Sequence, residues 1–174
     1  EISNPSNAAL GTPTATGVIK DEADEDGNPT EGDRPEVNIK ATVAEAVEGE
    51  GTALEFEVSQ TNPSNEDTTV DVNLGSDSSI EPEDIEKIEY TDVDGNPVVL
   101  ETPEEIADFL ENGATVLIPA GETKAPAIKL TPKDDDIYEV SEDVVLEISS
   151  PQGAKLGESI KDTAVIKDEA DEDG

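Results

Sequence analysis

The chain has 174 residues, enough for one domain of ordinary size or for one domain and a fragment. It carries 45 acidic and 10 basic residues, a formal net charge of −35, and has no Cys, His, Met or Trp. These absences exclude a thiol nucleophile, a disulfide framework, a zinc finger and a histidine base. The charge disfavours nucleic acid and anionic lipid as partners, because both need Lys and Arg to neutralise phosphate.

The balance of charge and hydrophobicity raises a conflict. A chain this acidic with only 2% aromatic residues would normally be disordered. However, many Val, Ile and Leu residues stand in alternating runs, which disordered tails lack. A bound divalent cation would resolve the conflict by cancelling part of the charge. No segment has the pattern of a signal peptide, and no apolar run is long enough to span a bilayer.

The first element in chain order is an internal repeat. "EISNPSNAALG" at residue 1 corresponds to "EISSPQGAKLG" at residue 147, and "GVIKDEADEDG" at residue 17 corresponds to "AVIKDEADEDG" at residue 164. This pattern indicates a tandem array cut within one unit. We therefore expect residues 1–27 to be the C-terminal strands and linker of a preceding repeat. Residues 28–35 are then a linker, and residues 36–174 are one complete repeat that ends in an acidic junction.

Period-2 alternation dominates the complete repeat. It is clear in "EVNIKATVA" (36–44), "TALEFEVSQ" (52–60) and "TTVDVNL" (68–74), and again in "ATVLIPA", "APAIKLTP", "DVVLEIS" and "DTAVIKD". Turn-forming clusters such as "TNPSNED", "PAGET" and "SPQG" separate these runs. Seven or more short strands at this spacing predict an all-β fold, an antiparallel β-sandwich.

Residues 87–113 interrupt this rhythm. "KIEYTDVDGNPVVLE" places two strand-like runs around Asp-Gly, which predicts a β-hairpin. "TPEEIADFLENG" then predicts a short helix, with Thr102 as N-cap and Gly113 as its end. Ile106, Phe109 and Leu110 share one face, which favours packing on the sheet over a ligand pocket. "DVDGN" (92–96) is similar to the start of an EF-hand loop but lacks the later Glu, so we favour a hairpin turn over a peripheral ion site.

Three stretches together resemble a Calx-β domain. They are "VAEAVEGEGTALEFEVSQTNPSNEDTTVDVNL", "IPAGETKAPAIKLTPKDDDIYEVSEDVVLEISSPQGAKLG" and "AVIKDEAD", and the part from "PAGET" through "DDDIYEVSEDVVLEIS" is the most specific. The resemblance implies a Greek-key β-sandwich, immunoglobulin-like in architecture, that binds Ca²⁺ at one end. The inserted hairpin and the repeated acidic tags are similar to extender repeats of giant RTX-type, biofilm-forming bacterial adhesins.

The same resemblance implies the metal ligands. For the complete repeat these are Glu45, Asp77, Asp134, Asp135, Asp136, Glu139, Asp168, Glu169 and Asp171. Ala170 cannot ligate, so its contact is either lost or supplied by Asp171. Asp21, Glu22, Asp24 and Asp26 would serve a junction metal of the preceding repeat. Calcium takes six to eight oxygens, so such a site needs carboxylates from loops far apart in sequence, which only the folded sandwich can gather. The alternative is that each acidic run is merely a solvated surface.

These features predict a calcium-stabilised structural extender of a large bacterial cell-surface adhesin, located outside the cell. Its partners would be neighbouring identical repeats in the same chain, without nucleic acid or membrane insertion, and the fragment alone would be monomeric. Two alternatives remain open: a module that binds a glycan or mediates cell–cell adhesion, and a calcium-sensing regulatory domain. We expect no enzyme activity, because paired carboxylates without aromatic platforms make a poor glycosidase.

Overall fold

The computed structural model describes residues 2–20, 32–135, 137 and 139–168. The chain divides into two compact units, Glu1–Asp33 and Arg34–Gly174. The first unit contains no helix or strand in its described residues. The second contains all the regular structure that the model describes, and it carries the candidate site.

The second unit is a two-layer β-sandwich. Its strands are β1 (Glu36–Val43), β2 (Glu45–Val47), β3 (Leu54–Gln60), β4 (Thr68–Leu74), β5 (Ile85–Thr91), β6 (Pro97–Leu100), β7 (Ala114–Ile118), β8 (Ile128–Pro132), β9 (Glu142–Gln152), β10 (Lys155–Leu156) and β11 (Lys161–Lys167). One sheet has the order β10-β1-β3-β8-β5-β6 and the other β2-β11-β9-β4-β7. The predicted all-β sandwich is therefore confirmed.

The core lies between the two sheets. Alternation along β3 buries Leu54, Phe56 and Val58 on one face, and β4 does the same with Val70 and Val72. This is the period-2 pattern of strands with one face on the core and one in water. The acidic residues of the strands therefore point outward, which is how so charged a chain still buries an apolar core.

The predicted insertion is also confirmed. β5 and β6 form a hairpin around Asp92–Asn96, in which Asp92 Oδ1 accepts hydrogen bonds from the backbone N–H of Asp94 (2.9 Å) and Asn96 (2.8 Å). The Asp92 carboxylate thus accepts hydrogen bonds within its own turn. These bonds lower the pKa of Asp92, and the one from the Asn96 N–H has the largest effect. This arrangement is that of a local Asx-type turn.

Helix α1 (Pro103–Asn112) follows β6 and packs on the core. Its N-terminus is a capping box: Thr102 Oγ1 accepts from Glu105 N–H, and the Glu105 carboxylate accepts from Thr102 N–H. Ile106 and Phe109 are buried, and the Phe109 ring lies 5.6 Å from that of Tyr90. Gly113 ends the helix at φ 69°.

The short strands β2 and β10 were not predicted from the sequence. Both are sheet-edge strands that pair in parallel, β2 with β11 and β10 with β1, whereas the other pairs are antiparallel. With two or three residues each, they are too short to show alternation. In the described part of the chain, no helix has the length and apolar character that crossing a bilayer requires.

The first and last described residues of the second unit, Arg34 and Asp168, lie at opposite ends of the sandwich. At its start, Arg34 Nη2 donates to Ala154 O (3.0 Å), two residues beyond the end of β9. At its finish, Asp168 Oδ2 accepts from Glu139 N–H (3.2 Å), three residues before β9 begins. The eleven residues of β9 separate these two points, which places them about 30 Å apart along the strand direction.

Candidate metal centre

The candidate site lies where one set of strand ends meets. The pairing of β11 with β2 and β9 sets Lys167 opposite Val47 and Ile166 opposite Glu142. In the facing sheet, Ile85 at the start of β5 lies opposite Pro132 at the end of β8. The chain segments just beyond these residues therefore gather at a single end of the sandwich.

Three carboxylates from two of these segments come together. Asp84, Glu139 and Glu142 each offer an oxygen, and the three oxygens all lie within 4.8 Å of one another. Oxygens that share one Ca²⁺ at about 2.4 Å can be at most about 4.8 Å apart, so this spacing fits a single ion. Asp84 precedes β5, whereas Glu139 and Glu142 lie in the β8–β9 connection and at the start of β9.

Burial and repulsion perturb this acidic group. The pKa of Glu142 is raised from 4.5 to about 7. Burial is the largest cause, followed by the charge of Asp84 and a hydrogen bond between the Glu142 and Asp84 carboxyl groups. Glu139 and Glu48 add smaller repulsion. The Glu142 Oε2 atom is buried and has no hydrogen-bond partner among the described residues. A cation would relieve both the repulsion and the unsatisfied oxygen.

Further carboxylates surround this centre. The pKa of Glu139 is raised by burial first and then by the charges of Asp84, Asp135, Asp168 and Glu81. Glu48 is 4% exposed, an unusual degree of burial for a Glu. We call the set Glu48, Glu81, Asp84, Asp135, Glu139, Glu142 and Asp168 the acidic end.

Backbone hydrogen bonds fix the segments that carry these side chains. Lys133 N–H donates to Asp84 O (2.9 Å), which ties the β8–β9 connection to the turn before β5. Glu48 N–H donates to Lys167 O (3.0 Å), and this bond holds the end of β2 against β11. The acidic end is therefore built on backbone that the fold itself positions, as a preorganised ion site requires.

Of the residues proposed from the sequence, the structure brings Asp135 and Asp168 close enough to Glu139 for their charges to raise its pKa. Asp134 is exposed and lies beside Gly49, where a Cβ would stand 3.1 Å from Asp134 Oδ1. Asp136, Glu169 and Asp171 lie outside the described residues, as do the proposed junction ligands Asp21, Glu22, Asp24 and Asp26.

Two of the proposed ligands pair with lysines. Glu45 Oε2 lies 2.7 Å from Lys167 Nζ, and Asp77 Oδ2 lies 3.0 Å from Lys161 Nζ. Lys161 is the first residue of β11, whereas Asp168 follows the last, so the Asp77 carboxylate is paired with the opposite end of that strand. The structure does not bring Asp77 into the acidic end.

Four members of the acidic end were not predicted from the sequence: Asp84, Glu142, Glu48 and Glu81. Asp84 and Glu142 each stand next to a strand start, at Ile85 and within "SEDVV". An acidic residue flanking a strand on the same side of the sandwich as the Asp triplet is the signal that could have identified them. The connection between β4 and β5 contains four acidic residues, so the sequence alone does not distinguish which of them turns inward.

Comparisons with known proteins found no matching family model and no matching curated protein. Among solved structures, the chain is similar to CBD12 from CALX1.2 (TM-score 0.48, 17% identity, 75% of this chain and 44% of that one). It is also similar to the apo form of the Calx CBD1 domain (TM-score 0.46, 17% identity, 77% and 98%) and to self-complemented MyfA, the major subunit of Myf fimbriae from Yersinia enterocolitica (TM-score 0.33, 18% identity, 75% and 98%). The chain thus spans less than half of the CBD12 structure, and the fold assignment rests on its own strands and sheets.

Proposed function

We propose that the acidic end binds Ca²⁺, and that the chain is a calcium-stabilised structural spacer of a large tandem-repeat adhesin on a bacterial surface. The observation that carries the proposal is the convergence of Asp84, Glu139 and Glu142 around a buried oxygen that has no hydrogen-bond partner in the described chain. An all-oxygen, all-carboxylate set suits a hard cation such as calcium better than zinc or copper.

The charge of the acidic end supports a bound ion in the working protein. Without a cation, burial first and then the acidic neighbours raise the pKa of Glu142 to about 7, so the group holds a proton up to about that pH. A divalent ion stabilises the ionised form of each carboxylate at once, so the free energy of binding adds to the free energy of folding. The charges of Glu48, Asp135 and Asp168 act on Glu142 or Glu139 of the same centre. In the proposed site these carboxylates would add oxygens toward the six to eight that calcium takes.

The path of the chain supports a spacer. The second unit starts near Ala154 and finishes near Glu139, at opposite ends of β9, so consecutive units would follow one another along the strand direction. The acidic end includes Asp168, which directly follows β11 and is the last described residue. An ion held there would restrain the direction in which the chain leaves, and the array would stiffen when calcium is present.

The rest of the proposal concerns context. The protein would act outside the cell, its partners would be neighbouring repeats in the same chain, and the fragment would be monomeric, without binding nucleic acid or inserting into a membrane. We also predict that it has no enzyme activity. The low aromatic content, two Tyr and two Phe, supports a spacer over a sugar-stacking module.

One observation favours a second candidate, a ligand-binding adhesion module. A cleft of about 700 Å³ lies beside the acidic end, between the helix α1 and the loop after β2. Its volume is within the range of small-molecule sites. Its walls include Pro82, Pro103, Ile106 and Pro132 together with Glu83 and Glu101. Binding of a glycan or a cell to the single unit would favour this candidate.

Small-angle X-ray scattering from four tandem copies of residues 28–174, one period each, tests the spacer. We expect calcium to increase the maximum dimension and to reduce flexibility relative to calcium-depleted buffer. Glu142→Gln in every copy should abolish this response, whereas Glu158→Gln, a charge-matched change at an exposed position, should preserve it. Equal dimensions with and without calcium would contradict the proposal.

A further inference from the structure

Residues 2–20, which we call the tail segment, carry the sequence of the last strands of the complete unit without their burial. Ile2 aligns with Ile148 and Ile19 with Ile166. Ile148 and Ile166 are 3% and 1% exposed, whereas Ile2 and Ile19 are 66% and 100% exposed. The residues that anchor β9 and β11 in the core are therefore uncovered in the tail segment.

The tail segment nevertheless keeps the turn geometry of its counterpart. Asn4 has φ 54° and aligns with Ser150, which also has φ 54°. Asn7 has φ 59° and aligns with Gly153, at φ 82°. Residues other than glycine rarely adopt positive φ, and Asn tolerates it best. The same two positions thus turn the chain in both copies, although only one copy has strands.

The complete unit shows what covers such residues. There β11 lies between β2 and β9, β9 lies between β11 and β4, and β10 pairs with β1. All the covering strands, β1, β2 and β4, precede β9 in the chain. In the unit Arg34–Gly174 these places are already filled by residues 147–167. A sandwich able to cover the tail segment must therefore be another copy that lacks its own last strands.

We propose that residues 2–20 are a strand donor: they complete a preceding copy of this sandwich by adding its last half-strand, its counterpart of β10 and its counterpart of β11. The occupant of the exposed apolar face is thus the counterpart of residues 36–146 in another copy of the sandwich. The inference depends on strand pairing and apolar burial, and it does not require the acidic end to bind metal.

The tail segment differs from its counterpart in ways that set the expected stability. It is one residue shorter between Gly11 and Val18 than the unit is between Gly157 and Val165. Gly17 stands where the fully buried Ala164 packs. A missing methyl group and a more flexible backbone both cost stability. We therefore expect the completed preceding copy to melt at a lower temperature than the unit Arg34–Gly174.

The test joins residues 34–146 directly ahead of residues 1–174, which recreates the preceding copy in register. Because the chain has no cysteine, Ile19→Cys introduces a single thiol whose labelling rate reports burial. We expect labelling at least about 100-fold slower in the two-copy chain than in the 174-residue chain. A ratio within about threefold, or protection that disappears on dilution because a second molecule supplied it, overturns the proposal.

A matched two-copy chain controls for folding of the added copy. In it, residues 147–167 replace residues 1–20, and the thiol stands at the Ile166 position of the first copy. Protection in this control together with exposure of Ile19→Cys in the test chain also overturns the proposal. If neither two-copy chain protects its thiol, a third variant tests the proposal. In this variant of the 174-residue chain, a copy of residues 1–20 replaces residues 147–167. Cooperative melting of that variant supports the strand donor, and its absence refutes it.

Discussion

Glu142→Gln is expected to have opposite effects with and without calcium. In the metal-free folded protein, the pKa of Glu142 is raised to about 7, by burial first and then by Asp84, whereas in the unfolded chain the group titrates near 4.5. Between these pH values the folded state binds more protons, so stability falls as the pH rises from about 4.5 through 7. Above pH 7 the whole penalty is present, and glutamine removes it.

The size of this penalty follows from the pKa values. The step from 4.5 to about 7 sets an upper limit of about 3.4 kcal/mol, at about 1.36 kcal/mol per pH unit. The side chain is only half-buried, and solvent screening reduces the figure to about 1–2 kcal/mol. At pH 8 without calcium, Glu142→Gln should therefore raise the melting temperature by about 2–8 °C. At pH 4.5 the two proteins should differ little.

Scanning calorimetry in calcium-depleted buffer at pH 4.5, 6 and 8 measures this effect, and the same scans with calcium measure its reverse. With the ion present, the variant should lose most of the calcium-dependent gain of the wild type. Glu158→Gln controls for the general effect of removing one negative charge. A variant that is less stable than the wild type at pH 8 without calcium would refute the reasoning, because Glu142 would then be stabilising as an anion.

Three other outcomes follow. Glu45→Gln and Asp77→Asn should each leave the calcium-induced shift in melting temperature within about 1 °C of the wild type, because Lys167 and Lys161 pair with these carboxylates. Loss of the shift in either variant would show that the replaced residue is a calcium ligand. Gly113→Ala should lower the free energy of unfolding in urea by at least about 2 kcal/mol, since the residue has φ 69° and an added Cβ would stand 2.2 Å from Val72 O. An unchanged urea midpoint would contradict this prediction. Phe109→Ala should cost about 3–5 kcal/mol in the same assay, and a loss below about 1 kcal/mol would show that the helix does not anchor the core.

The sandwich and its insertion were predictable because local rules agree with the fold. Alternation places Leu54, Phe56 and Val58 on one face, and the Thr102–Glu105 pair marks the start of the helix as it does in isolated peptides. The strands β2 and β10 were not predictable, because two or three residues carry no period. Their parallel pairing depends on which sheet edges are vacant, which is a property of the whole fold.

The candidate site was predictable only in part. The "DDDIYEVSED" stretch drew attention to Asp135 and Glu139, because acids in that order resemble a known motif. Asp84 was missed because its partner Glu142 is far from it in sequence. Their segments meet through the pairing of β5 with β8 and through hydrogen bonds between the β4–β5 connection and the start of β9, such as Ser79 N–H to Asp143 O (2.9 Å). Conversely, Glu45 and Asp77 have the right chemistry, but nearby lysines hold them, and a sequence does not show which charges meet.

The measurement that tests the metal centre most directly is the melting temperature of the 174-residue chain as a function of calcium concentration at pH 7.5, with magnesium as a comparison. We expect a progressive rise that reaches about 2.7 kcal/mol of added stability at a hundredfold excess over the dissociation constant, and a much smaller rise with magnesium. A melting temperature that stays constant to about 10 mM calcium, about tenfold above the weakest dissociation constants of extracellular sites, would contradict the proposed calcium site.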